Sequence, residues 1–224
     1  MIVHETGSFS LDDEAFIQKM KLRGPSVEKG LAVGRNIAKH GDPWFVCREC
    51  RVDAIEGDRV TVDGLTFHSG FLARVLKGVS RVMVYVVTCG VGMAEHTKEI
   101  EDVFDRYMAE GVEHLVLDRA KADLQTHVEA KWGGGKAYHV NPGSLEDWST
   151  LEIATLFDLL EKRPYELGMT LTDSGLMQPG RSVSGFYFES ETPFFNCMLC
   201  RREHCPNRKA AFDEAMHASF SASV

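Results

Sequence analysis

Half of the six cysteines in this chain lie within nine residues of one stretch, "FNCMLCRREHCPNR", from Phe195 to Arg208. Cys197, Cys200 and Cys205 follow a C-x2-C-x4-C spacing. Thiolates are soft ligands, and a short loop carrying three of them can wrap an iron–sulfur cluster or a zinc ion if a fourth ligand comes from elsewhere. Candidates for the fourth are His204 inside the run, Cys89, or one of Cys47 and Cys50, whose "CREC" repeats the C-x2-C spacing. The two metals predict different chemistry. A cluster passes single electrons, whereas zinc has no redox states and would only staple the loop. Arg201, Arg202, Arg208 and Lys209 flank the run and suit an acidic redox partner, and they suit an ordinary solvated face as well. The competing account, free structural thiols, fits poorly because free cysteines are usually buried singly.

Three further stretches carry polar groups or glycines at turns. In Asn141-Pro142-Gly143-Ser144-Leu145, proline fixes a backbone angle and glycine permits close approach, so the loop can present main-chain groups to a ligand. It can equally be a plain helix entry ahead of Ser149. Asp173, Ser174 and Ser184 are candidate ligand contacts, against the simpler role of bonding nearby backbone in a turn. Thr88-Cys89-Gly90-Val91-Gly92 is a flexible turn with two glycines, short of a phosphate-loop fingerprint.

These groups need a scaffold, and 224 residues allow one core with a small appendage. The net charge of -8 disfavours broad phosphate neutralisation, so nucleic acid is not an expected partner. The N-terminus has no apolar core of signal-peptide length, and the longest apolar run, Val82 to Val87, is far too short to span a bilayer. A cytoplasmic protein is expected, and there clustered thiols hold metal or cycle redox state rather than form structural disulfides.

Along the chain, Glu14–Ile17 and Val27–Ala38 predict short helices around the breaker Gly24-Pro25. Arg59 to Phe67 predicts a hairpin turning at Asp63-Gly64. Ser69 caps a helix carrying Phe71, Leu72, Val75 and Leu76, and the β-branched run Val82–Val87 predicts a central strand buried on both faces. Ile100, Val103, Phe104, Tyr107 and Met108 form a helical core stripe stopped by Gly111, and Val112 to Val128 forms a second long helix. After the Gly133-Gly134-Gly135 break, Ser149-Thr150-Leu151-Glu152 reads as a capping box for a helix burying Leu151, Ala154, Leu156, Phe157 and Leu160. Ser182–Phe188 predicts a strand, and a last helix runs from about Lys209 to Ala218. The balance is α+β.

Two of these blocks carry a family pattern. "NPGSLEDWSTLEIATLFDLL" (Asn141–Leu160) and "LGMTLTDSGLMQPGRSVSGFYF" (Leu167–Phe188) resemble the C-terminal activation domain of cobalamin-dependent methionine synthase. The matching residues of the second block are Leu171, Thr172, Asp173, Ser174, Met177, Pro179 and Ser182 to Gly185. Weaker similarity extends back through the Asp63-Gly64 hairpin, Thr88-Cys89-Gly90 and Leu117-Asp118. The division that follows is an N-terminal segment 1–57, an activation-domain-like core 58–190, and a cysteine tail with a terminal helix 191–224.

The resemblance implies a twisted antiparallel sheet with flanking helices. It also implies S-adenosylmethionine as methyl donor for remethylating an oxidised corrinoid, a reaction that consumes an electron. The corrinoid would be carried by a partner, a cobalamin-dependent methyltransferase or corrinoid protein, since the chain leaves no room for such a module. His139, Asn141, Pro142, Gly143 and Ser144 stand at the adenosylmethionine motif, with His139 in place of the family's arginine and Ser144 in place of its tyrosine. Thr126 falls where the family has a helix glutamate, and Asp123 or Glu129 could serve instead. Two functions follow: a reactivating or electron-delivering accessory with an iron–sulfur tail, or a non-catalytic module that binds a corrinoid protein and has zinc in the tail.

Overall fold

The computed structural model describes residues 1–144, 147–205 and 208–221. In chain order its elements are β1 (Val3–Thr6), α1 (Asp13–Met20), α2 (Ser26–Ala38), β2 (Trp44–Glu56), β3 (Arg59–Val62), β4 (Leu65–His68), α3 (Gly70–Val75), β5 (Arg81–Thr88), α4 (Val91–Glu99), α5 (Val103–Lys131), β6 (Ala137–Val140), α6 (Ile153–Leu159), α7 (Arg163–Glu166), β7 (Thr170–Leu171), β8 (Met177–Gln178), β9 (Ser182–Glu189) and α8 (Glu214–Ser221). Antiparallel pairing gives the order β4-β3-β2-β5-β9-β6, and β1 joins the edge of β2 that β3 also uses. A two-stranded hairpin, β7-β8, stands apart.

The sheet is covered on both faces, and period-two alternation decides which side chain goes where. On β5, Val82, Val84 and Val86 enter one core with α3, α6 and Trp148, while Met83, Tyr85 and Val87 enter another with α1, α2 and α5. Every residue of β5 after Arg81 is buried, as a continuous apolar run between two layers requires. The expected α+β architecture is therefore the observed one.

Local signals act as their chemistry predicts. Asp63 (φ 43°) and Gly64 (φ 80°) form the β3-β4 turn, and Asp53 Oδ2 accepts from the Gly64 N–H at 2.8 Å. The Ser69 hydroxyl accepts from the Leu72 N–H at 2.9 Å at the start of α3. The Thr88–Gly92 turn is a strand-to-helix junction whose cap comes from elsewhere. Asp42 accepts from the N–H groups of Gly92 (3.2 Å) and Met93 (3.1 Å) at the start of α4. A Cβ on Gly90 would lie 1.7 Å from that Asp42 carboxylate, so only glycine fits.

Several expectations are corrected. Gly111 does not end a helix; α5 continues through it for 29 residues, because the missing side chain admits Met20, whose sulfur would lie 2.1 Å from a Cβ there. Val103 and Tyr107 are exposed, not core. Leu151 and Ala154 also face outward; Leu156, Phe157 and Leu160 are buried as expected, joined by Ile153 and Leu159. Glu152 does not reach back to Ser149: it accepts from the His68 N–H (2.7 Å) and from Trp148 Nε1 (2.8 Å), tying α6 to the sheet and to Trp148. The final helix begins at Glu214, not near Lys209.

The segment 1–57 proves integral to this architecture. Phe16, Met20, Leu22, Ile37 and Ala38 pack on α5, and β2 lies beside β5. The tail is likewise rooted, since Phe194 and Leu199 belong to the core that holds Phe71 and Phe188.

Candidate functional site

A cleft of about 900 Å³ runs between α5 and the edge strand β6. His114, Asp118, Lys121, Gln125 and Glu129 line its helical wall at the spacing of one helix face. Tyr138, His139 and Tyr187 form its floor, and Phe194, Phe195 and Lys209 bring the root of the tail to its rim. Glu129 is thus in the cleft. Thr126 and Asp123 line a different, smaller cleft on the other side of α5, beside Pro43 and Trp44.

Beneath His139 runs a buried string of polar groups. Asn141 Nδ2 donates to the Tyr85 hydroxyl (2.6 Å) and to the Ser184 carbonyl (2.7 Å). Because a carbonyl can only accept, the amide orientation is fixed, and Asn141 Oδ1 accepts from His139 Nδ1–H at 2.9 Å. Burial holds the His139 imidazole below its ordinary pKa, against the opposing effect of the Asn141 bond. His139 is therefore neutral at pH 7, with its proton on Nδ1 and its Nε2 lone pair free of it. Burial also raises the phenols of Tyr85 and Tyr187. The structure thus places a neutral, oriented imidazole on the floor of the cleft.

At the end of β6 the Asn141 loop meets the β7-β8 hairpin. The Gly143 N–H donates to the Trp148 carbonyl (2.7 Å) and the Ser144 N–H to the Asn141 carbonyl (3.2 Å), making a tight turn with Gly143 at φ 72°. A Cβ on Gly143 would lie 2.6 Å from the Thr150 methyl, and one on Gly175 would lie 2.4 Å from the Thr150 carbonyl. The Thr150 hydroxyl donates to the Ser174 carbonyl at 2.8 Å. Thr150 is thus the contact that joins the loop to the hairpin.

Asp173 and Ser174 are exposed at the hairpin tip, Pro142 is half-buried, and Ser144 is exposed. Leu145 lies outside the described residues. The Ser184 hydroxyl is buried without a hydrogen-bond partner among the described residues. Leu151 and Leu176, 61 % and 52 % exposed, flank the contact. The structure gathers His139 with Asn141, and Gly143 with Ser174, around the same end of the sheet. Sequence reading missed Lys121, Gln125 and Tyr187; the i+3 and i+7 spacing from Asp118 and the alternation of β9 were the available signals.

The cysteines separate into two groups. Cys47 and Cys50 both sit on β2, where a three-residue step reverses the side chain, so Cys47 enters one core and Cys50 the opposite one. Burial pushes each of these thiols, and Cys89, up to about 12. Cys47 and Cys50 therefore cannot act together as a C-x2-C pair; Cys50 shares its core with Leu199 of the tail, and Cys47 shares the opposite one with Cys89. Cys197, Cys200 and Cys205 are half-buried together in the tail loop. Arg208 is not a free surface cation: it reaches into that loop and donates to the carbonyls of Cys197 (3.0 Å), Cys200 (3.1 Å) and Arg202. Among the described residues no three Cys, His, Asp or Glu side chains stand together as a metal cage. Nor is any helix among them long and apolar enough to cross a membrane.

Two comparisons with known proteins found a match. The profile of the family described as vitamin B12 dependent methionine synthase, activation domain, matches residues 141–210, which contain the loop, the hairpin, β9 and the cysteine run. A crystal structure of the MetH reactivation domain bound to AdoHcy superposes with a TM-score of 0.62 at 18 % identity, covering 87 % of this chain and 80 % of that one. The chain thus has the fold of that domain and resembles the activation domain in sequence. No curated protein matches.

Proposed function

We propose that this protein reactivates the corrinoid of a cobalamin-dependent methyltransferase, holding S-adenosylmethionine in the cleft between α5 and β6. The observation that carries the reading is the lining of that cleft. The amino-acid end of such a ligand presents a carboxylate and an ammonium, and its centre is a sulfonium. Lys121 and Lys136 suit the first, and Asp118 and Glu129 suit the two cations. Tyr138, Tyr187 and Phe195 offer ring faces to an adenine. The AdoHcy in the similar reactivation domain is the demethylated form of the same molecule.

The partner's corrinoid supplies the cobalt that accepts the methyl group, and an external one-electron donor supplies the electron. This chain's residues bind and orient. Neutral His139, pinned by Asn141, presents a hydrogen-bonding nitrogen without adding positive charge beside a sulfonium. The Gly143–Ser144 turn and the Asp173–Ser174 tip, with exposed Leu151 and Leu176, form the face offered to the partner.

Calorimetric titration with S-adenosylmethionine and AdoHcy tests the reading. Binding should weaken about tenfold in Glu129→Gln, the scale of one charge-assisted contact, with an unchanged melting temperature. Absence of binding by the parent at about 1 mM, equivalent to about -4 kcal/mol, would sink it. Capture of a cobalamin-loaded methyltransferase should be lost in Ser144→Trp, a change at an exposed position. Capture without any ligand binding would instead favour the non-catalytic corrinoid-protein module.

A further inference from the structure

We propose that a second cleft, set between α4, the first turns of α5 and the Pro179–Arg181 turn ahead of β9, binds a small carboxylate ion on Arg181, with Glu113 as a hydrogen-bond donor beside it. The cleft, about 390 Å³, shares no lining residue with the one between α5 and β6, so this site stands apart from the adenosylmethionine reading. Arg106, Glu110 and Glu113 recur at four and three residues on α5 and form one wall. Lys98 comes from α4, and Arg181 is the residue before β9. The mouth is open at Gly180, where a Cβ would meet nothing within 4 Å. Three cations face two carboxylates there, so the balance is positive even with both acids ionised.

Arg181 carries the argument. Its carbonyl accepts from the Cys89 N–H at 3.1 Å, so the side chain springs from a fixed backbone. Its guanidinium nevertheless lies 3.7 Å from the Glu113 carboxyl and 3.8 Å from that of Glu110, beyond hydrogen-bond reach, and it bonds to no other side chain among the described residues. Its fork of N–H donors is left to the cleft, and a carboxylate is the small anion whose two oxygens match that fork. Arg106 is partly spent, since its Nε and Nη2 donate to the Ile100 carbonyl.

Glu113 sets the condition for entry. Its side chain is 8 % exposed, against 49 % for Glu110. Burial raises its carboxyl above the ordinary value, with Glu110 adding to the rise and the Thr97 hydroxyl, Arg181 and Lys98 opposing it. An incoming anion adds a further like charge, so a proton enters with the ligand. Protonated Glu113 then donates its O–H to one carboxylate oxygen while Arg181 donates to the other. Of the remaining titratable neighbours, Cys89 on the sheet side is pushed up to about 12, and burial holds His114, which lines the α5–β6 cleft, below its ordinary 6.5. Neither has its midpoint between pH 6.5 and 8.5.

Titration of the full-length protein with succinate, followed by amide chemical shifts at pH 6.5 and 8.5, tests the site. Shifts should fall at Lys98, Glu113 and Arg181, and affinity should drop at least about tenfold between the two pH values, as uptake of one proton requires. Glu113→Gln keeps a neutral donor of the same shape, so it should bind equally at both. Arg181→Gln should weaken binding about tenfold or more, the scale of a charge-assisted pair, and Lys98→Gln, at an exposed position, about threefold. No shift with about 10 mM succinate at pH 6.5, a range where even weak binding is visible, overturns the proposal. Unchanged binding in Arg181→Gln, or a pH dependence that persists in Glu113→Gln, does the same. Shifts confined to His139 and Tyr187 would move the anion to the other cleft, and inorganic phosphate binding tighter than succinate would overturn the carboxylate assignment.

Discussion

Cys47 and Cys50 on β2 have the same C-x2-C spacing as Cys197 and Cys200 in the tail, and the two pairs are in opposite physical situations. On a strand a three-residue step places the side chains on opposite faces, and the sheet then buries each in a different core. In the tail a short 3₁₀ turn at Asn196–Met198 is followed by irregular chain, and all three thiols stay partly open to solvent. Spacing becomes a ligand motif only where the backbone leaves the side chains free to converge.

The contrast is broken most directly at its boundary. Ending the chain at Glu189 removes Phe194 and Leu199, 8 % and 6 % exposed, from the core. Their lost burial should cost about 3–6 kcal/mol, read as a lowered urea midpoint. A truncated protein with the parental midpoint would make the tail an appendage. The next effect separates the two cysteine sets. Cys47→Ser or Cys50→Ser places a hydroxyl in apolar surroundings and should cost about 1–3 kcal/mol, whereas Cys200→Ser in metal-free protein should stay within about 0.5 kcal/mol. Equal losses at the two places would show that the tail thiols are packed after all.

The smallest effect concerns the polar string under the cleft, which belongs to the sheet side of the comparison. Burial lowers the folded pKa of His139 below 6.5, so the unfolded chain takes up its proton first as pH falls. Its contribution is present above pH 6.5 and is lost as pH drops through the lowered folded value. His139→Gln should therefore flatten the fall of stability on the acid side of 6.5 while leaving the region above it unchanged. A parallel pair of pH profiles would remove His139 as the titrating group.

What the sequence made legible were elements whose signal is local. The Asp63-Gly64 turn, the Ser69 cap and the β-branched run of β5 each carry their cause within a few residues, and each formed as expected. β2 was not read, although it pairs along most of its length, because "FVCREC" alternates neither cleanly nor around a turn signal. Gly111 was misread since its partner, Met20, is distant in sequence. The site was half legible. Asn141, Gly143 and Ser184 were marked by resemblance, but the role of Thr150 as their junction with the hairpin depends on contacts that no spacing encodes.

The unbroken α5 has a consequence for how this chain can vary. Lys121, Gln125 and Glu129 face one cleft and Asp123, Thr126 and His127 the other, so two sets of residues are interleaved on a single helix. Each residue advances the helix by about 100°. Exchanging side chains on α5 retunes one cleft at a time. Inserting or deleting a single residue between Gly111 and Asp118 would turn everything beyond it by that angle, carrying one cleft's residues toward the other. Length, more than identity, is what this helix must conserve.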